Sequence, residues 1–186
     1  MEDSEIVALY WSRDQQAISE SADKYGTYCA AIARNILGSP EDSEECVSDT
    51  WFRAWNAMPP RKPDILSAFF GRITRNLAFD RYRSRSAAKR GGTETALVLE
   101  ELRDCVSGQD EAQQQLDYQE LLADLNAFLR SLPQEKRRLF LRRYWYAEPI
   151  AGIAKRFGMK ENQVSVGLYR LRHQLREYLL ERGHML

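Results

Sequence analysis

The sequence predicts an all-α fold made of two small helical domains joined by a flexible linker. Three observations carry this. Apolar residues recur at helical spacing through nearly the whole chain, and β-branched alternation is absent. Glycine and proline gather at a few breaks instead of scattering. The chain is formally neutral, with 27 Lys+Arg against 27 Asp+Glu, yet its charge falls into four blocks. Residues 1–60 are net −7, 61–90 net +7, 91–126 net −8 and 127–186 net +8. Two basic blocks divided by an acidic one predict two separate contacts on a polyanion.

With 186 residues, 44% of them hydrophobic, the chain can bury a core in one domain or in two small ones. No run of eighteen apolar residues exists, so no stable membrane insertion is expected. The acidic start, MEDSEIVALYW, lacks the basic and apolar regions of a secretory signal. Cys29, Cys46 and Cys105 cannot all pair, and none sits in a CxxC. They read as small thiols in a reducing cytoplasm.

The first domain is expected over 1–86. Residues 4–37 carry apolar side chains at helical spacing, with a break near Ser12–Asp14, and Gly38-Ser39-Pro40 ends the run. A helix over about 42–57 lines up Cys46, Val47, Trp51, Ala54, Trp55 and Met58 on one side. Pro59-Pro60-Arg61-Lys62-Pro63-Asp64 is a stiff, basic turn. The helix that follows, about 65–86, places Leu66, Phe69, Phe70, Ile73 and Leu77 on its apolar face. On its flank Arg72, Asn76, Phe79 and Arg83 fall within roughly a 60° arc by the helical repeat. Asp80 falls on the apolar face and calls for a structural partner. An exposed Phe between arginines is the surface that stacks and pairs with unstacked bases.

Residues 87–112 read as the linker, opened by AAKRGGT and closed by SGQD, with a short apolar piece, ALVLEEL, inside it. The second domain, 113–186, begins with helices over 113–130 and 134–145 around Leu132-Pro133. In IAGIAKRFGMKENQVSVGLYRLRHQLREYL, Ala154, Gly158 and Val164 have the spacing of a helix-turn-helix. A small residue lets the helices approach, glycine permits a left-handed turn, and an aliphatic residue plugs the second helix into the first. That second helix turns Val164, Leu168, Leu171, Leu175 and Tyr178 inward, and Asn162, Gln163, Val166 and Arg170 outward. Amides followed by arginine suit the edges of bases in a major groove.

These segments together resemble the extracytoplasmic-function group of bacterial sigma factors over nearly the whole chain. SPEDSEECVSDTWFRAW is similar to the acidic helix of region 2, FFGRITRNLAFDRYRSR to the helix after it, and LRSLPQEKRRLFLRRYW with the helix-turn-helix to region 4. The resemblance implies a subunit that binds core RNA polymerase, locates two elements of promoter DNA and helps open the duplex. It implies core-polymerase contacts at Glu45, Asp49 and Arg53, and an anti-sigma factor as a further partner. Arg61 and Lys62 lie in the loop that would capture a flipped base. Arg72, Arg75 and Arg83 would track phosphates, while Asn76 and Phe79 meet exposed bases. Asn162, Gln163, Ser165, Val166 and Arg170 would face the minus-thirty-five element.

The chain departs from the pattern at Phe69, where the family usually has Trp. It departs again at Val164-Ser165-Val166-Gly167-Leu168, where the family commonly has Val-Lys-Ser-Arg-Leu. A glycine there weakens a helix interior by about 1 kcal/mol. A helix-turn-helix repressor or activator acting without polymerase would explain 134–182 but leaves the helix at 65–86 without a role. A sigma mimic that sequesters an anti-sigma factor is a further alternative, against which the intact C-terminal reader argues. An enzyme is disfavoured: His173 and His184 pair with no nearby acid–thiol set, and the sequence has neither a Gly-rich phosphate loop nor a metal-ligand cluster. No cofactor is expected.

Overall fold

The computed structural model describes residues 1–86, 101 and 114–184. The expected linker, apart from Glu101, lies outside the described residues, as does Cys105. Every regular element among the described residues is helical. The chain divides into two compact units, Met1–Gly91 and Gly92–Leu186.

The first unit contains α1 (Asp3–Trp11), α2 (Gln16–Leu37), α3 (Pro40–Ala57) and α4 (Leu66–Ser86). The break between α1 and α2 falls at the expected place. Arg13 there adopts φ 58°, and its guanidinium donates to the Trp55 carbonyl at 2.7 Å, which ties the turn to α3. Gly38 ends α2 in the left-handed conformation, at φ 69°. Ser39 then caps α3, its hydroxyl accepting from the Asp42 amide, and Pro40 occupies the first turn.

Phe70 of α4 sits at the centre of this unit, with ring centres of Trp51, Tyr25 and Tyr10 at 5.2, 5.4 and 6.4 Å. Ile6, Cys29, Ala54, Met58 and Leu66 complete the core. Two buried threonines meet across α3 and α4, with Thr50 and Thr74 hydroxyls 3.0 Å apart. Each also lies 2.9 Å from the carbonyl one turn back, so the two protons are shared among these acceptors and neither hydroxyl is left without a partner.

The second unit contains α5 (Gln114–Ser131), α6 (Gln134–Tyr144), α7 (Ile150–Phe157) and α8 (Glu161–Glu181). Its core joins Phe128 and Leu132 of the α5 end, Leu139, Phe140 and Tyr144 of α6, Ile153 and Ala154 of α7, and the Val164–Leu168–Leu171–Leu175–Leu179 stripe of α8. That stripe follows the 4–3–4–4 spacing of an amphipathic helix, and α8 packs on all three other helices of its unit.

Candidate nucleic-acid interface

α4 divides its arginines between two surfaces. Arg72 and Arg83 are exposed, and Asn76 lies between them, also exposed. Arg81 and Arg85 point the other way, toward α3. The two guanidinium nitrogens of Arg81 reach Glu45 at 3.0 Å and Asp49 at 2.5 Å, and Arg85 pairs with Asp42. The basic segment is therefore partly neutralised within its own unit. Glu45 and Asp49, the expected polymerase contacts, remain 68% and 47% exposed while holding Arg81. Arg53 on the same helix is exposed.

Two sequence expectations for α4 are corrected. Phe79 is not an exposed stacking surface: it is only 7% accessible, and the Arg75 guanidinium lies 4.6 Å from its ring centre. α2 and α3 both pack on α4, so its buried arc is wider than the one stripe that a helical wheel assigns. Ala78 and Gly71 are buried beyond that stripe as well. Arg75 is itself half-buried, and burial pulls its pKa down to about 10, so it stays charged near neutral pH. Asp80, expected on the apolar face, is exposed. At its level α4 has passed the apolar cluster, and its helical turns are held by the α3 carboxylates instead.

The loop between α3 and α4 exposes Arg61 and Lys62. Beside it, an open cleft of about 660 Å³ is lined by Lys62, Pro63 and Asp64 from the loop and by Asp3, Val7 and Trp11 from α1.

In the second unit the helix-turn-helix forms as its spacing requires. Gly158 takes φ 64°, its amide and that of Met159 both bond back to the Ala154 carbonyl, and Val164 is fully buried. Asn162, Gln163, Val166 and Arg170 are exposed along α8. Gln163 also caps the helix. Its side-chain oxygen accepts from the Lys160 amide at 2.9 Å, which leaves its NH₂ group for a ligand. Ser165 is half-buried, and its hydroxyl donates to the Glu161 carbonyl at 3.0 Å. A serine spent within its helix offers little to DNA.

Gly167 acquires a reason that the sequence alone did not supply. A Cβ at this position would meet the Leu139 methyl at 3.3 Å, so the glycine lets α8 approach α6 closely. Tyr169 and His173 were missed as surface residues. Both are exposed, their ring centres are 4.3 Å apart, and the helical repeat puts them in the outward stripe with Asn162 and Val166. Their i, i+3 and i, i+4 spacing from those residues is the signal that would have found them.

Among the described residues no group of three or more His, Cys, Asp or Glu could hold a metal ion, and no helix is long and apolar enough to cross a membrane.

Comparison with known proteins places both surfaces in matched regions. The family described as Sigma-70 region 2 matches residues 22–88, and Sigma-70, region 4 matches residues 122–175. The curated protein "ECF RNA polymerase sigma factor SigE" of Mycolicibacterium smegmatis is 29% identical over 149 residues, covering 80% of this chain. The chain spans about half of that relative's length, 56% of it being matched. The solved structure of CnrH in complex with the cytosolic domain of CnrY is 23% identical, covers 98% of this chain and 99% of its own, and has a TM-score of 0.45.

Proposed function

Because the chain belongs to the extracytoplasmic-function group of the sigma-70 family, we propose that it is an RNA polymerase sigma factor. It directs the core enzyme to particular promoters and initiates transcription there. The observation that carries this reading is the presence, in one chain, of two separate exposed surfaces suited to DNA. One is the Arg72–Asn76–Arg83 stripe of α4, and the other is the Asn162–Gln163–Val166–Arg170 face of α8.

The division of labour follows from the chemistry of each surface. On α4, arginines flanking an amide suit a melting duplex: the cations hold phosphates while Asn76 meets an exposed base of the minus-ten element. Arg61 and Lys62 hold the backbone beside the loop that receives a flipped base. On α8, the amides and Arg170 enter the major groove of the minus-thirty-five element. Glu45, Asp49 and Arg53 form the polar face of α3 that meets core polymerase. An anti-sigma factor is the expected antagonist, and the cytoplasm is the compartment in which polymerase is met. The role is that of an initiation factor, with no catalytic step of its own and no cofactor.

The test is to mix the purified chain with core polymerase and map transcript starts across a genome. A defined set of starts sharing two upstream elements is expected. Nanomolar, sequence-specific duplex binding by the free chain, with no such starts, would replace this reading by a helix-turn-helix repressor.

A further inference from the structure

Arg143 of α6 is an arginine inside a domain core, its side chain 1% exposed. A buried guanidinium demands a carboxylate. The nearby acid, Glu148, gives Arg143 only its backbone carbonyl, at 3.3 Å, and turns its carboxylate to Arg156 and Arg142. Glu101, which lies between the two matched family regions, does bring its carboxylate to Arg143. Its two oxygens accept from Arg143 Nη2 at 3.0 Å and Nε at 3.3 Å, a fork-to-fork pair. The Tyr144 hydroxyl donates to the same carboxylate at 3.0 Å.

The network continues onto α8. Arg172 Nη1 donates to the Tyr144 hydroxyl at 2.8 Å and lies 3.4 Å from Glu101. By the helical repeat, Arg172 stands on one flank of the buried Val164–Leu175 stripe and Gly167 on the other. Gly167 is where Leu139 of α6 presses against α8. One flank thus has a steric stop and the other a polar tie. Between them they limit rotation of α8 about its own axis, and that rotation decides which way Asn162, Val166 and Arg170 point.

We infer that Glu101 is a positioning residue for promoter recognition, holding Arg172 through the Arg143–Tyr144 cradle and so setting the angle at which α8 presents its DNA-facing side chains. The inference rests on the sigma-factor reading above. It assigns to a residue outside both matched regions a part in reading the minus-thirty-five element.

The experiment uses the full chain with core polymerase and a promoter found by start mapping, intact and with its minus-thirty-five element scrambled. The readout is the ratio of initiation rates, intact over scrambled. Two variants are compared. Glu101→Gln removes the carboxylate charge that two nitrogens of buried Arg143 bond, so its melting temperature is expected to fall. Arg172→Gln cuts the tie to α8 and spares the buried Arg143–Glu101 pair, so its melting temperature and core affinity are expected to stay near wild type.

Both variants should lower the ratio by about tenfold, the scale of one misplaced base contact. The salt slope of promoter binding should not change, since neither residue holds a phosphate. A wild-type ratio in Arg172→Gln would overturn the inference. So would a slope that falls by about 0.9 in that variant, which would make Arg172 a phosphate contact. No promoter-specific start from the wild-type holoenzyme would remove the sigma-factor reading itself, and this inference with it.

Discussion

The Arg75 guanidinium covers the Phe79 ring at 4.6 Å and helps bring that side chain to 7% accessibility. Phe79 therefore belongs to the packing of the first unit, and Asn76, one turn earlier, is the exposed group on that flank. The two substitutions should separate. Phe79→Ala is expected to cost about 3–5 kcal/mol of stability, the usual range for emptying a buried aromatic site. Asn76→Ala is expected to leave stability within about 0.5 kcal/mol and to slow promoter opening. Thermal unfolding and permanganate footprinting of the holoenzyme measure the two effects. Equal thymine reactivity in Asn76→Ala and wild type would show that Asn76 meets no base.

The Arg81 fork on Glu45 and Asp49 predicts a trade between stability and polymerase binding. The carboxylate of each pair is exposed, and each contributes about 0.2–1 kcal/mol. Arg81→Ala should lower stability by that order. It should also tighten core binding, because two carboxylates proposed to face polymerase are released from an internal partner. Competition binding with labelled core enzyme decides it. Weaker binding by Arg81→Ala would assign the contact to the arginine instead.

Gly167→Ala would ordinarily raise helix stability by about 1 kcal/mol. Contact of the new methyl with Leu139 at 3.3 Å should absorb most of that gain. Urea titration is the measurement, and the full gain would mean that α6 yields freely. In Ser165→Lys the lost hydroxyl bond to Glu161 is minor, and a long cation beside the DNA-facing stripe should steepen the salt slope of DNA binding by about 0.9. Coincident slopes would place residue 165 away from phosphates.

Glu101 also predicts a pH dependence. Burial raises its carboxyl pKa, but the bonds and charges of Arg143, with Tyr144 and Arg172, more than offset this and leave it below the ordinary 4.5. A depressed carboxylate contributes stability that is present above the unfolded pKa and lost as pH falls through the folded one. Wild type should therefore exceed Glu101→Gln in melting temperature by a constant margin above about pH 4.5. The margin should close below that. A margin unchanged into stronger acid would show that the ion pair is not its source.

Cys29 and Cys46 are fully buried, and burial pushes each thiol up to about 11. Alkylation of the folded chain near neutral pH should leave both unmodified, with labelling appearing only on unfolding. Mass spectrometry after brief treatment with iodoacetamide tests this. Rapid labelling of either in the native state would mark it as reactive.

Much of this protein was legible in its sequence, for local reasons. Helical spacing, Gly38-Ser39-Pro40 and the Ala154–Gly158–Val164 interval each act within a few residues, so the elements, the break near Ser12 and the helix-turn-helix could be read directly. The exposed cations and amides of the candidate surfaces, Arg72, Asn76, Arg83, Asn162, Gln163 and Arg170, with Val166 beside them, followed from the same periodicity. Tertiary structure decided what depends on a second neighbour. One wheel assigns one buried stripe, but α4 has two packing partners, so Phe79 went inside while Asp80 came out. Gly167 looked like a weak point until Leu139 was found against it. Glu101 looked like linker until it met Arg143, 42 residues away in sequence, because only a folded core creates the buried charge that such a carboxylate answers.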